Sequence, residues 1–329
     1  MKNVRELITP EALALIRSVA TQGSMAAAAR ELGLVPSAVT YRVRQIEDAL
    51  DVLLFDRSAK QARITPAGEE LLQGGEHVLQ ELDAVARRVQ RVATGWEPQL
   101  TIAVDSLISK RVMFELCEAF FASGDEHSQA KELKTTRTPP TRLRIQGETL
   151  SGTWHALLDG QADLAIGGVV EGIAQAGVQA KPIGDVPFVF AVAPHHPLAN
   201  HPLALAKLAL PDAVIQQHRI VAVADSTRRK QTVSVGILPG QDVLTVSTMP
   251  DKLDAQLRGL GCGFVPHCIA QPYIEAGRLV LLATERIPRA PKVNYAWRTP
   301  ERGTLGKALS WWLAQLAQPK TREALLFKH

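Results

Sequence analysis

The feature that constrains the fold most is a heptad repeat between Thr65 and Thr94, in which apolar or small residues recur at alternating intervals of four and three. These residues are Leu71, Gly75, Val78, Leu82, Val85, Val89 and Val92. Thr65 can cap a helix, Pro66 suits its first position, and the sequence GWEP (95–98) ends it. The pattern therefore predicts one long helix.

Two arrangements would bury the apolar side of this helix. It can pack on its own domain, which explains such a pattern over two turns. Alternatively it pairs with the same helix of a second chain, which the length of the repeat favours. Gly74 and Gly75 form the weak point of the repeat, because glycine destabilises helices. We expect a linker and dimerisation helix over residues 66–96, with its dimer interface at Leu71, Val78, Leu82, Val85 and Val89.

Composition allows several globular domains. The chain has 329 residues, of which 46% are hydrophobic and 21% charged, enough for two or three domains. No apolar run is long enough to span a membrane, and the opening MKNVRELITP lacks the apolar segment of a secretory signal. These features predict a cytoplasmic protein. The net charge of +4 permits binding to nucleic acid without requiring it.

Metal and redox chemistry are not expected. No pair of cysteines has the C-x-x-C spacing of a zinc or redox site; the cysteines are Cys117, Cys262 and Cys268. His195, His196 and His201 lie close together in the sequence, but no cysteine or carboxylate ligand lies near them. We therefore predict reduced thiols, no metal site and no cofactor.

The first fifty residues follow a helix-turn-helix pattern. One helix begins near Pro10 and carries apolar residues on one face up to a stop at Gly23. Ser24 can cap a short, alanine-rich helix over residues 25–32, which a neighbouring helix can approach closely. Gly33 supplies a tight turn, and Pro36 suits the first position of a third helix that runs to about Leu50.

The third helix is predicted to contact DNA. Its inward positions are apolar, while the remaining face carries hydroxyl and guanidinium groups suited to phosphates and base edges. Two strand-like segments follow, residues 53–55 and 62–64, as in the wing of a winged helix. The predicted DNA contacts are Ser37, Thr40, Tyr41, Arg42, Arg44, Arg57, Lys60 and Arg63. A solvated helix face is the alternative, which the complete series of helix, turn, helix and basic wing disfavours.

From Leu100 onward, strand-like and helical segments alternate, which predicts an α/β domain. The strand-like segments are LTIAV (100–104), LRIQ (143–146), ADLAIGG (162–168), PFVFAVA (187–193), RIVAV (219–223), VLTVS (243–247), CGFV (262–265) and VNYAW (293–297). Polar residues follow several of them, and ligands in α/β folds bind where strands end. By position, Asp225, Ser226, Thr248 and His267 are candidate ligand contacts. Capping a helix or a turn is an equally good explanation for each of them.

Residues 23–72, GSMAAAARELGLVPSAVTYRVRQIEDALDVLLFDRSAKQARITPAGEELL, resemble the LysR-type DNA-binding domain, including the LFDRS wing and the TPAG start of the linker helix. More narrowly, VPSAVTYRVRQIE, GWEPQLTI, IAVADSTR and LTVST resemble the YhaJ-like subgroup of that family. The resemblance implies base contacts at Ser37 and Thr40, and a wing contact at Arg57. This chain departs from the common pattern at Pro36, where many members carry a base-contacting glutamine, and at Tyr41, where an arginine is frequent.

The resemblance implies an α/β protein with an N-terminal all-α winged helix-turn-helix (1–65), a long linker helix (66–96) and a two-lobed effector domain (97–329) like periplasmic binding proteins. Lobe I would comprise residues 97–186 and 267–329, and lobe II residues 187–266. The family precedent places Ser106 and Thr149 in the cleft between the lobes. It also implies antiparallel pairing of linker helices in a homodimer or homotetramer, and a small aromatic or quinone-like effector. The polar segment 125–140 is longer than the family usually has there.

Two other classes of protein are weaker explanations. A solute-binding protein would account for the second half alone, but the chain lacks a secretory signal and carries the DNA-contacting half. An enzyme on an α/β scaffold would need a catalytic motif, and no G-x-S-x-G, G-x-G-x-x-G after a strand or P-loop is present. The sequence therefore predicts a DNA-binding transcriptional regulator that responds to a small molecule, and not an enzyme.

Overall fold

The structure, a computed structural model, describes residues 4–56, 62–123, 139–169, 177–227, 235–286, 290–299 and 304–329. Arg57, Lys60 and nearly all of the predicted surface segment 125–140 lie outside these residues. The chain divides into two units, Met1–Ala86 and Arg87–His329. The boundary falls within the long helix rather than at either of its ends.

Helices form most of the first unit. Its elements are α1 (Val4–Leu7), α2 (Pro10–Gln22), α3 (Met25–Glu31), α4 (Pro36–Leu50), β1 (Phe55–Asp56), β2 (Arg63–Ile64) and α5 (Pro66–Thr94). The predicted cap at Ser24 is confirmed, because its Oγ accepts from Ala27 N at 3.4 Å. Thr9 caps α2 in the same way, with Oγ1 accepting from Ala12 N at 3.2 Å. Gly23 ends α2 with a φ of 64°, a conformation that glycine adopts without strain.

The helix-turn-helix packs around a small apolar core. Ala28 and Ala29 of α3 are fully buried in it, which explains why this helix is made of alanines. Val39, Val43 and Ile46 supply the inward face of α4, as predicted. The strands β1 and β2 pair antiparallel and form the base of the wing.

The long helix α5 begins where the sequence predicts. Thr65 Oγ1 accepts from Gly68 N at 3.1 Å and donates to Leu53 O at 2.7 Å, so one side chain both caps the helix and holds it to the wing. In its first turns Leu71 packs against the apolar core of the first unit.

The second unit is an α/β structure with two lobes. Its elements are β3 (Gln99–Asp105), α6 (Lys110–Ala122), β4 (Arg142–Glu148), α7 (Ser151–Leu158), β5 (Leu164–Val169), β6 (Val178–Asp185), β7 (Phe188–Val192), α8 (Pro202–Leu205), α9 (Asp212–Ile215), β8 (Ile220–Val223), β9 (Val243–Val246), α10 (Met249–Leu257), β10 (Gly263–Pro266), α11 (His267–Glu275), β11 (Val280–Leu282), β12 (Lys292–Arg298), α12 (Lys307–Ala317) and α13 (Pro319–Phe327).

Each lobe has its own sheet. In lobe I the strand order is β4-β3-β5-β12-β6, and the parallel strands β4, β3 and β5 meet the antiparallel β12 and β6. In lobe II the sheets β10-β7-β11 and β8-β9 are joined by a bridge between Ile220 and Cys262. Parallel strands need crossover connections, and in lobe I α6 connects β3 to β4 and α7 connects β4 to β5.

One predicted boundary needs correction. The sequence indicated that the chain returns to lobe I at residues 262–266, so that residue 267 begins the second part of that lobe. Instead β11 pairs antiparallel with β7, and α11 packs on the core of lobe II. Thr284 bridges with Leu210 and Arg286 pairs with Asp212, so lobe II extends to Arg286, and the chain crosses back between Arg286 and β12. The turn from β10 into α11 resembles a crossing in sequence because the apolar strand β10 ends in a proline, Pro266.

Candidate functional site

The outer face of α4 presents polar side chains to solvent. Ser37, Arg42 and Arg44 are exposed, and Tyr41 has 62% of its surface accessible. Gln45 Nε2 donates to Tyr41 Oη at 2.8 Å, which links two side chains one turn apart. Thr40 is half-buried, and its hydroxyl donates to Pro36 O at 3.0 Å. The structure thus places the five predicted α4 residues on one helix, and Thr40 is the least accessible of them.

The start of α4 is a feature that the sequence analysis missed. Its N-cap residue is Val35, which makes no capping hydrogen bond with its side chain. The first N–H groups of a helix have no partner within the helix, and they carry the positive end of its dipole. A backbone phosphate is a natural acceptor at such a position. An apolar residue directly before Pro36 was the signal in the sequence.

The wing is described only at its base. Arg63 lies on β2, paired across the strands with Asp56, and its side chain is exposed. Arg57 and Lys60 lie outside the described residues, so their DNA contacts stay predictions.

An apolar stripe runs along the second part of α5. Its side chains are Val78, Leu82, Val85, Val89 and Val92, and they are 47–85% exposed in the single chain. Leu71 differs from them because it packs against the core of its own unit. The stripe available to a second chain therefore begins at Val78, one heptad later than predicted.

The candidate effector residues of the second unit meet where β4 and β8 end. Thr149, which is buried, donates from Oγ1 to Ala224 O at 2.6 Å and from its backbone N to Ser226 Oγ at 2.9 Å. Ser226 Oγ in turn donates to Glu148 Oε2 at 2.5 Å. Residues 148–152 of lobe I and 224–227 of lobe II thus form a hydrogen-bonded contact, which we name the lobe seam.

The side chain of Asp225 binds the N-terminal end of α7 within this seam. Its carboxylate accepts from Ser151 Oγ at 2.5 Å, from Gly152 N at 3.2 Å and from Thr227 N at 3.0 Å. One turn further along α7, His155 Nδ1 lies 2.7 Å from Thr227 Oγ1. The predicted residues Thr149, Asp225 and Ser226 are therefore brought together from two lobes.

Asp105 lies beside the seam and was not among the predicted site residues. Its carboxylate accepts from Leu107 N at 2.9 Å and from Thr153 Oγ1 at 3.2 Å. Burial raises the pKa of Asp105 to about 7, and the charge of Asp225 adds to the rise. Its position at the end of β3, next to Ser106, was the signal in the sequence. A buried carboxyl that titrates near neutrality is typical of functional sites.

The remaining predicted residues lie apart from these hydrogen bonds. Ser106 is half-buried, and its backbone N donates to Glu148 O at 3.0 Å, which places it next to the seam. Thr248 caps α10, with Oγ1 accepting from Asp251 N at 3.3 Å. His267 begins α11, and its backbone N donates to Pro187 O at 2.8 Å. Within the described residues, neither Thr248 nor His267 hydrogen-bonds to the seam.

The histidines near residue 200 act as caps. His196 Nδ1 accepts from Leu198 N at 3.2 Å, and His201 Nδ1 accepts from Leu203 N at 3.3 Å. Among the described residues, no group of histidine, cysteine, aspartate or glutamate side chains is arranged to hold a metal ion. Across the same ranges, no helix is both long and apolar enough to cross a membrane.

A helix-turn-helix with a wing, followed by a two-lobed α/β domain, defines the class of ligand-responsive DNA-binding proteins. Residues 10–69 match the bacterial regulatory helix-turn-helix of the lysR family, and residues 135–319 match the LysR substrate binding domain. The chain belongs to the LysR family of transcriptional regulators. It is a regulator with a DNA-binding and an effector-binding domain, and not an enzyme.

Relatives match along most of the chain. The probable HTH-type transcriptional regulator YhaJ of Escherichia coli K12 is 32% identical over 94% of this chain and 96% of its own length. The uncharacterized regulator YeeY of the same organism is 31% identical over 92% of this chain and 91% of its own length. The predicted resemblance to YhaJ-like proteins is confirmed.

Solved structures share the fold. Full-length CbnR in complex with its target DNA covers 94% of this chain and 99% of its own length, with a TM-score of 0.57 and 16% identity. A full-length variant of AphB covers 93% of this chain and 97% of its own, with a TM-score of 0.51 and 18% identity.

Proposed function

We propose that α4 enters the major groove of DNA and contacts bases with its first turns. The observation that carries this proposal is the start of α4, where exposed polar side chains surround helix N–H groups that lack a side-chain cap. Ser37 and Thr40 would contact base edges, with Tyr41, Arg42 and Arg44 as neighbouring contacts. Arg57, Lys60 and Arg63 of the wing would contact phosphates or the minor groove.

Two copies of the chain would act together. The exposed stripe from Val78 to Val92 needs an apolar partner, and the same stripe of a second chain supplies one. Such a homodimer presents two copies of α4 to two half-sites, and a pair of dimers would form a homotetramer. The dimer would act in the cytoplasm, where bacterial DNA is accessible.

The effector would bind between the lobes. Ser106, Thr149, Asp225 and Ser226 lie at or next to the lobe seam, together with the newly found Asp105 and Glu148. Thr248 and His267 stay weaker candidates because they make other contacts. We expect a small aromatic or quinone-like effector. A thermal-shift screen of aromatic acids, phenols and quinones would identify it, because a ligand of the native state raises the melting temperature.

Selection from a random DNA library tests the DNA-binding proposal. The full chain should enrich a two-fold symmetric site, and Thr40→Ala should lose roughly 1 kcal/mol or more of discrimination per half-site while keeping its affinity for random DNA. Thr321→Ala, the same substitution on α13, is the control and should keep full discrimination. Failure to enrich any site would contradict the proposed function. Equal losses by Thr40→Ala on specific and random DNA would make Thr40 a backbone contact.

A further inference from the structure

The lobe seam joins the two lobes through a carboxylate at a helix start. Ser151 Oγ and Gly152 N, at the beginning of α7 in lobe I, both donate to Asp225 of lobe II, at 2.5 and 3.2 Å. These donors and the helix dipole favour a negatively charged acceptor. In this chain the acceptor is supplied by the opposite lobe, from a position 73–74 residues further along the sequence.

Gly152 allows the two lobes to approach this closely. A Cβ at this position would overlap Ser226 Oγ and would lie 3.0 Å from the Ser226 carbonyl carbon and 2.9 Å from Glu148 Oε2. The backbone of Gly152 does not have the positive φ that requires glycine. The missing side chain therefore serves the contact between the lobes, not the turn.

A ligand that binds at the start of α7 has to displace Asp225 from Ser151 and Gly152. Separating residues 151–152 from Asp225 leaves a hydroxyl and a helix N–H without their acceptor, and unpaired donors at a poorly solvated site are costly. A ligand with an acidic group restores the acceptor, because a carboxylate can take the place of the Asp225 carboxylate. An uncharged ligand of the same shape gives weaker hydrogen bonds to the same donors.

We propose that Asp225 is an internal competitor for an acidic effector. Its carboxylate occupies the position of the effector's acidic group and holds the lobes together, and a small organic acid displaces it. This inference rests on the proposed effector site between the lobes. It goes further by assigning a chemical class to the effector and a competing role to Asp225.

Calorimetric titration with benzoate tests the competition. Asp225→Ala in the full chain removes the competitor, so its affinity for benzoate should rise about tenfold or more relative to the unmodified chain. Asp254→Ala removes an exposed carboxylate of the same lobe and should leave the affinity unchanged. Benzamide has the same ring without the charge, and its binding should not gain from Asp225→Ala.

Three results would overturn the proposal. Equal benzoate affinity of the unmodified chain and Asp225→Ala would show that Asp225 does not compete. A lack of benzoate binding by Asp225→Ala would show that the start of α7 does not accept an acid. An equal gain with benzamide would show that charge is irrelevant. The DNA selection tests the proposed function separately, so a failed selection with a tenfold gain for benzoate would contradict the function while supporting the competition.

A substitution at Gly152 tests whether the seam holds the lobes together without changing Asp225. Gly152→Ala adds the overlapping methyl group, whereas Gly168→Ala on β5 meets nothing closer than 3.8 Å and is the matched control. Hydrogen exchange in peptides spanning residues 148–156 and 220–227 should be several-fold faster in Gly152→Ala than in the unmodified chain or the control. Equal exchange in all three would overturn the role of the seam in holding the lobes together.

Discussion

Glu47 shows how one buried side chain can connect the DNA-contacting helix to the wing. Its Oε1 accepts from the backbone N–H groups of Leu54 at 2.9 Å and Phe55 at 3.3 Å, and the residue is 5% exposed. Glu47→Ala would leave both N–H groups buried without this acceptor, at a cost of roughly 1–3 kcal/mol. Hydrogen exchange of residues 53–56 should therefore accelerate. Glu47→Gln keeps an oxygen in place and should retain most of the protection; equal acceleration in both variants would mean that the carboxylate charge matters more than the acceptor.

His196 makes the stability of lobe II depend on pH. Burial, followed by the charges of His218 and His195, lowers the pKa of His196 from 6.5 to about 4. The unfolded chain therefore binds a proton at higher pH than the folded chain does. The stabilising effect of the neutral imidazole is fully present above pH 6.5 and is lost as the pH falls from 6.5 to 4. Burial also lowers the pKa of His218, which acts in the same direction.

A capping side chain that does not titrate tests this dependence. His196→Asn keeps an acceptor for Leu198 N, so its free energy of unfolding should fall less steeply between pH 7 and pH 5 than that of the unmodified chain. His195→Asn, at the exposed neighbouring position, removes only the smallest of the three causes of the lowered pKa of His196 and should retain most of the steep dependence. Urea denaturation at several pH values measures both slopes. Identical slopes in His196→Asn and the unmodified chain would contradict the role assigned to His196.

At the scale of elements, the sequence predicts what local chemistry determines. Pro10, Ser24 and Pro36 mark helix starts because capping and proline geometry act within a few residues. The strand β6 was not predicted, because its sequence VQAKPIGD is polar and contains Pro182. Among the described residues it pairs with β12 alone and so lies at the edge of the sheet, and edge strands tolerate proline because one row of their N–H groups is free.

The candidate site was only partly predictable, because its hydrogen bonds join residues that are far apart in the sequence. Polar residues after strands pointed to Thr149, Asp225 and Ser226, but their hydrogen bonds span 73–77 positions of the chain. No local pattern indicates which strand ends meet. Thr248 has the same signature in sequence and is a helix cap in the structure. Capping and ligand binding use the same side chains, so the sequence alone leaves both explanations open.

Two adjacent glycines of α5, Gly74 and Gly75, should respond oppositely to alanine. At Gly74 an added Cβ would meet nothing within 4 Å, so Gly74→Ala should stabilise the helix by about 0.5–1 kcal/mol. At Gly75 it would overlap the buried side chain of Leu13 and contact its Cγ at 3.1 Å. Overpacking of this kind costs typically about 1–3 kcal/mol, which exceeds the gain in helix propensity.

Thermal unfolding followed by circular dichroism separates these two effects. The melting temperature should rise in Gly74→Ala and fall in Gly75→Ala. A rise of equal size in both variants would show that α5 does not approach α2 at Gly75, and that the first turns of the helix are free of the DNA-binding domain.

At the scale of the whole molecule, the exposed stripe of α5 determines whether two DNA-contacting helices act together. Val85 lies in the middle of the stripe and is 47% exposed in the single chain. Val85→Asp would bury a charge against the partner helix, which is strongly unfavourable without a compensating group. Light scattering should then find monomers or aggregates. Affinity for a two-fold symmetric DNA site should fall towards that of one half-site, because the link between the two contacts is lost.

The control is His77→Asp, which adds a carboxylate at an exposed position outside the heptad seam. This variant should remain oligomeric and keep its affinity for the full site. A Val85→Asp variant with the size and DNA affinity of the unmodified chain would show that α5 is not the interface, and that the apolar stripe has another partner.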